Sequence, residues 1–222
     1  MSLLAATSAG GGAGDTTPAI DTTGATLLVA IGVADSSSAT PTLTDSKSNV
    51  WTELPLRGGG NPTFHEDRIF YVEDPVVGTG HTFTVAGTNA AVCVAAFDGT
   101  TTPTSFDQET GAVTLASESA PGGSLTPPAP GLFISAIGIE QLRTFSIGSG
   151  FTIAVDQPHA GGESYGCALA YKETSGAENP TWSWTGQGNG DVVVSNATFD
   201  LPAAGPTLVP FRTTIGAQRL TY

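Results

Sequence analysis

Charge is scarce in this 222-residue chain. Only 12% of residues are charged, against about 25% in an average globular protein. Seven Lys and Arg stand against twenty Asp and Glu, a net charge of −13. Sequence-independent nucleic-acid binding depends on basic side chains that neutralise phosphates, so no nucleic-acid partner is expected, and anionic membranes are disfavoured likewise. Cysteine occurs twice, as Cys93 and Cys167, each inside an apolar run. Buried thiols are favoured over a disulfide, and neither cysteine has metal-site spacing. The longest apolar run, "LLVAIGVA" at 27–34, is far short of the ~20 residues of a spanning helix. "MSLLAATSAGGG" has no basic segment and does not read as a secretion signal. A soluble chain folded in a cytoplasm is expected.

Helical periodicity is also missing. Runs of four to eight residues that alternate apolar with small or polar, bounded by Gly, Pro, Asn and Asp clusters, indicate an all-β sandwich or barrel. Strands are predicted near 26–34, 41–44, 49–54, 67–73, 81–86, 90–97, 105–108, 112–115, 132–139, 144–147, 150–155, 164–172, 181–185 and 191–200. "SAPGGSLTPPAPG", 119–131, reads as a connection. Residues 1–19 lack periodicity and read as an N-terminal arm; 202–222, with three prolines and a basic-leaning end, reads as a C-terminal arm.

The body between the arms, 20–201, repeats itself. "AIGV" at 30–33 matches "AIGI" at 136–139, and Trp51-Thr52 matches Phe151-Thr152. Tyr71 and Glu73 match Tyr171 and Glu173, "TFTVAG" at 82–87 matches "TWSWTG" at 181–186, and Phe97-Asp98 matches Phe199-Asp200. The matches keep one order, so a duplicated unit of about 75 residues is inferred, spanning 26–99 and 131–201. Such a unit supplies one sheet with a single apolar face. Two units closing face to face give a jelly-roll-like β-sandwich of two pseudo-repeated halves; two tandem β-domains are the alternative.

A position apolar in both halves belongs to the core. That moves Trp51, Trp182 and Trp184 inside and leaves Phe64, His65 and Tyr165 as candidate glycan-stacking residues. Glu73 and Glu173 are symmetry copies at strand ends and do not read as the close carboxylate pair of a glycosidase. "IGSGF", 147–151, lacks the nucleophile-elbow spacing. Asp45 in "TDSKSN" reads as an Asx turn and not as a metal ligand. No catalytic set, metal site or cofactor is expected. The features unique to one half are the loop 55–67 and the C-terminal arm. In that arm Phe211, Arg212, Arg219 and Tyr222 are the residue types enriched at protein interfaces, and they are candidate partner-binding residues.

Residues 22–54 and 69–99 resemble a β-sandwich module of tailed-bacteriophage virion proteins and some bacterial surface proteins. The shared pattern is an apolar strand, a T-x-D-S-x-G-N-x-aromatic turn, a tyrosine strand, a "TVTV"-like strand and a last strand ending in aromatic-x-Gly. Here the turn runs Thr44-Asp45-Ser46-Lys47-Ser48-Asn49-Val50-Trp51, with Ser48 at the usual glycine. The likeness is weaker over 130–201. It carries no catalytic residues. It implies a non-enzymatic structural protein of the virion, assembled in the host cytoplasm and displayed on capsid or tail as a decoration, spike or adsorption component. The expected partners are a major capsid or tail protein and further copies of the chain; a host-surface glycan is the partner in the alternative reading as a carbohydrate-binding adsorption module.

Overall fold

The computed structural model describes residues 1–12, 15–36, 40–58, 65–100, 105–127, 130–140, 143–158, 165–186 and 190–202. The fold is an all-β sandwich. The first part contains β1 (Ser2–Gly12), β2 (Leu27–Asp35), β3 (Thr42–Asp45), β4 (Thr52–Glu53), β5 (Arg57–Gly58), β6 (His65–Glu73), β7 (Phe83–Ala86) and β8 (Ala90–Asp98). The second contains β9 (Phe106–Ser117), β10 (Ser119–Pro121), β11 (Gly131–Glu140), β12 (Arg143–Ile147), β13 (Thr152–Gln157), β14 (Tyr165–Thr174), β15 (Thr181–Gly186) and β16 (Gly190–Asp200).

The duplication is visible in the sheets. One large sheet has the order β1-β8-β2-β6-β4, with β5 also on β6; the other has β9-β16-β11-β14-β13. Read strand for strand, these are the same antiparallel sheet. Each carries a smaller companion sheet, β3-β7 in one repeat and β10-β15-β12 in the other. Bridges Thr16↔Thr84 and Ile20↔His81 in the first repeat correspond to Ser119↔Ser183 and Leu125↔Glu178 in the second.

Four expectations are corrected here. The repeat is about 100 residues long, 1–100 and 105–202, and not 75, because β1 and β9 are its matching first strands. Residues 2–12 are therefore an edge strand paired with β8 and not an arm. Their Ala, Gly and Ser side chains suit close packing but give no alternation to read. Likewise 119–131 is partly β10, paired with β15. Finally, the "AIGV"/"AIGI" match is one residue out of structural register. Leu27 faces Glu73 and Phe97, and Leu132 faces Glu173 and Phe199, so Leu27 is equivalent to Leu132. A one-residue slip in a strand exchanges its two faces.

Each large sheet is buried on both faces. In β2, Leu27, Val29, Ile31 and Val33 enter a central core, while Leu28, Ala30 and Ala34 enter a core shared with Phe83 and Val85 of β7. In β11, Leu132, Ile134 and Ala136 face the centre; Phe133, Ile137 and Ile139 pack on Phe145, Trp182 and Trp184 beneath the second small sheet. The order of layers is thus small sheet, large sheet, large sheet, small sheet. Double burial explains why these antiparallel strands read as unbroken apolar runs, a pattern usual for parallel sheets. It also corrects the energetic argument for duplication. A repeat already has two layers and its own core, but its large sheet presents a second apolar face that only the other repeat covers. At about 1.5–3 kcal/mol per large apolar side chain, that face cannot stay in water.

Residues 1–100 expressed alone should therefore form dimers or aggregates rather than a stable monomer. Size-exclusion chromatography with light scattering decides this; a soluble, cooperatively unfolding monomer is the contrary result.

Candidate functional site

The chemistry-bearing side chains gather where the large sheets meet, and they do so in reciprocal pairs. Tyr71 of β6 stands edge-to-face on Phe199 of β16, ring centroids 5.4 Å apart, and Tyr171 of β14 does the same on Phe97 of β8 at 5.3 Å. Ser195 Oγ donates to Asp67 Oδ1 at 3.0 Å, and at the equivalent positions Cys93 Sγ and Cys167 Sγ are 3.1 Å apart. His65 and Tyr165, equivalent to each other, are in ring contact at 5.2 Å. Reciprocity of this kind is what a two-fold relation between the repeats requires.

Of the two strand-end glutamates, Glu73 is a clasp across the same interface, while Glu173 is a solvated strand end, its side chain 49% exposed. Glu73 Oε1 accepts from Ser105 N, from Ser105 Oγ at 2.8 Å and from Phe106 N at 2.9 Å, fixing the start of β9. Glu173 Oε1 lies 3.6 Å from the Met1 amino nitrogen, beside the start of β1. Arg57, in the loop singled out as unique to one half, is likewise a clasp: it pairs with Glu109 of β9.

His65 and Tyr165 do not form a glycan platform. They are 0% and 4% exposed, because the alternation of β6 and β14 points them into the interface and not to solvent. Phe64 lies outside the described residues, as do Phe211, Arg212, Arg219 and Tyr222. Trp182 and Trp184 are buried, as the repeat argument requires; Trp182 Nε1 donates to Ser135 Oγ at 2.9 Å.

Ser195, His65 and Asp67 are the residue types of a nucleophilic triad and are neighbours, yet their bonds run the wrong way. The serine donates to the carboxyl group and not to the imidazole. His65 Nε2 is bonded to the Gly138 carbonyl at 3.2 Å. A carbonyl only accepts, so Nε2 carries the proton and Nδ1 keeps its lone pair. All three side chains are buried, and the serine–base bond on which such catalysis depends is absent. What burial does instead is work against charge in the cluster. Burial lowers His65 to about 4, against the carbonyl bond and the charge of Asp191. Burial also raises Asp67 to about 7, against the Ser195 hydroxyl and the charge of Arg57.

The second polar cluster is the turn that carries the family resemblance. Asp45 Oδ1 accepts from the Lys47 amide at 2.7 Å, the expected Asx turn, and from Asn49 Nδ2 at 3.3 Å. Asp45 Oδ2 accepts from Trp51 Nε1 at 2.7 Å. His81 Nε2 lies 3.1 Å from Oδ1, and its Nδ1 is 2.9 Å from Thr22 Oγ1. Asn49 also bonds both ways with the backbone of Val76. Ser48 has φ of 63°, the left-handed conformation that accounts for the glycine usual at this place in the pattern. The carboxylate is thus engaged with protein donors, and no metal-holding group of three His, Cys, Asp or Glu occurs among the described residues. Comparison of the chain with protein families, curated proteins and solved structures gives no match.

Two outcomes follow. Asp45→Ala should cost about 2–3 kcal/mol in urea unfolding, since several part-buried donors lose their shared acceptor. The pH dependence of the central pair has two opposed parts. Asp67 binds its proton more tightly in the folded chain, so it subtracts stability as pH rises from its ordinary 3.8 to about 7. His65 is depressed, so its contribution is lost as pH falls from 6.5 to about 4. In wild type the slopes oppose between about 4 and 6.5. Asp67→Asn removes one of them: its stability relative to wild type should rise with pH across the window from 3.8 to about 7, by about 1 kcal/mol per unit. Unfolding midpoints at several pH values test this.

Proposed function

We propose that the protein is a non-enzymatic structural component of a tailed-bacteriophage virion, displayed on the capsid or tail and fixed to its neighbours through residues 202–222. The observation that carries the reading is the fate of the reactive groups. His65, Asp67, Ser195, Cys93 and Cys167 are all sealed between the repeats, where they serve cohesion and reach no substrate. The turn that carries the likeness to phage virion modules is spent in the same way, on joining β3, β4 and the 74–81 segment. The acidic balance supports a place on the outside of a particle, since a surface of this sign repels packaged DNA.

With residues 2–12 built into a sheet, anchoring falls to the C-terminal segment alone. Its point of departure is fixed: Asp200 N donates to Ser105 O at 2.6 Å and Leu201 N to Pro130 O at 3.2 Å. Beyond it the sequence holds two of the seven basic residues, Arg212 and Arg219, on an otherwise acidic chain. Such a segment suits an acidic neighbour, a capsid or tail protein or another copy.

Deletion of 203–222 should leave a soluble body with unchanged thermal unfolding that no longer enters particles. Virion fractionation with antibody detection tests both halves of the claim: full incorporation of the truncated chain removes the anchoring role, and absence of the full-length protein from purified particles removes the virion assignment.

A further inference from the structure

Cys93 and Cys167 are 74 residues apart in sequence, one in each repeat, and their sulfurs lie 3.1 Å from each other in the central core. Both are free thiols in this structure. A disulfide needs about 2.05 Å, so the sulfurs must close by about 1 Å. The approach has a counterpart at the equivalent positions of the fold. The equivalent positions, Ser195 and Asp67, are brought to hydrogen-bond distance in the other half of the interface. The fold therefore presents the same pair of facing sites twice, each spanning the two large sheets, and one of them holds two thiols.

We infer that Cys93 and Cys167 are a disulfide-forming pair, converted to a covalent staple between the repeats when the chain folds in the presence of a small-molecule disulfide such as oxidised glutathione. The chemistry balances as two exchanges. One cysteine thiolate attacks the glutathione disulfide, forming a mixed disulfide and expelling one glutathione thiolate, which takes up the proton lost by the cysteine. The second cysteine thiolate then attacks the protein sulfur of that mixed disulfide, closing the staple and expelling the second glutathione, which takes up the second proton. The protein loses two electrons, and one oxidised glutathione becomes two reduced ones.

The order of events is set by burial. Both cysteines are 0% exposed, and a tripeptide adduct has no room between the sheets. Burial and the neighbouring Cys167 also hold the Cys93 thiol well above its ordinary range, against thiolate formation. Exchange thus precedes closure of the two repeats, and once they close the pair is locked as dithiol or disulfide. The folded protein keeps the redox state of the medium in which it folded.

The test uses the full chain. It is denatured, then refolded in a glutathione redox buffer or in dithiothreitol, and trapped with an alkylating reagent under denaturing conditions. Refolding with glutathione should give a monomer two hydrogens lighter with no alkylated cysteine, and a midpoint of thermal unfolding raised on the order of 10 °C. Folded dithiol protein placed in the same buffer should react roughly 100-fold more slowly than denatured chain. A redox titration of the folded chain, incubated until its slow exchange reaches equilibrium from both the dithiol and the disulfide side, gives an answer even if refolding yields are poor. The effective concentration of the two thiols for each other should be roughly 100-fold higher in native buffer than in denaturant. A ratio at or below one, or alkylation of both cysteines after oxidative refolding, overturns the proposal; reaction of the folded dithiol as fast as the denatured chain overturns the locking.

Discussion

The structure depends on one constraint: two antiparallel sheets that are apolar on both faces must be stacked against each other and capped outside. Sheets buried on two sides need side chains that fit a fixed layer spacing of about 10 Å. The choice of small residues answers that need. A Cβ on Gly32 would stand 3.0 Å from the Phe70 ring, and one on Gly138 would stand 3.0 Å from Val33 and 3.3 Å from Asp67. The glycines are where a large neighbour or the facing sheet comes through. The same stacking accounts for the shortage of charge. Most strand positions in a four-layer body point at another layer, and few are left at which a charge keeps its water.

Polar groups that do enter the centre are pushed toward the neutral form or bonded across the repeats. The repeat relation makes this unusually clear, because one backbone arrangement is seen with two chemistries. Ser195 and Asp67 fill it with a hydroxyl and a carboxyl group pushed toward protonation; Cys93 and Cys167 fill it with two thiols. At the rim the matching glutamates also diverge: Glu73 takes two amides and a hydroxyl, while Glu173 approaches one amino group. The duplication kept the docking geometry and let the side chains in it change, as expected if packing is the shared requirement.

That distinction governs what was legible in the sequence. Central strands were readable because β-branched and aromatic runs of this length, bounded by turns, read as strands, although their burial on both faces was not foreseen: β2, β6, β8, β11, β14 and β16 fall where the runs are. Wholly apolar runs lose the alternation that sets faces, however, so "AIGV" and "AIGI" align as text and not in register. Strand β1 was illegible because "SLLAATSAGGG" reads as linker by composition, and only its pairing with β8 makes it a strand. Burial of Trp182 and Trp184 followed from comparing repeats. His65 and Tyr165 escaped the same comparison, since a histidine and a tyrosine at matching positions look like two polar residues until the sheets are seen to meet there.

The two-fold relation also says where specificity can reside. Any surface feature shared by both repeats would appear twice and in opposed directions, so a single directional attachment has to use something only one repeat has. Two such features interrupt the equivalence in sequence. One, the loop containing Arg57, is at least partly spent inside the molecule on Glu109. The other is the chain beyond Leu201. After β8 the equivalent chain continues through residues 99–104 into β9, which completes the second large sheet. After β16 the chain runs on into residues 203–222, whose sequence does not copy the repeat a third time. The anchoring role proposed for residues 203–222 is consistent with this, since their sequence is a feature that the two repeats do not share.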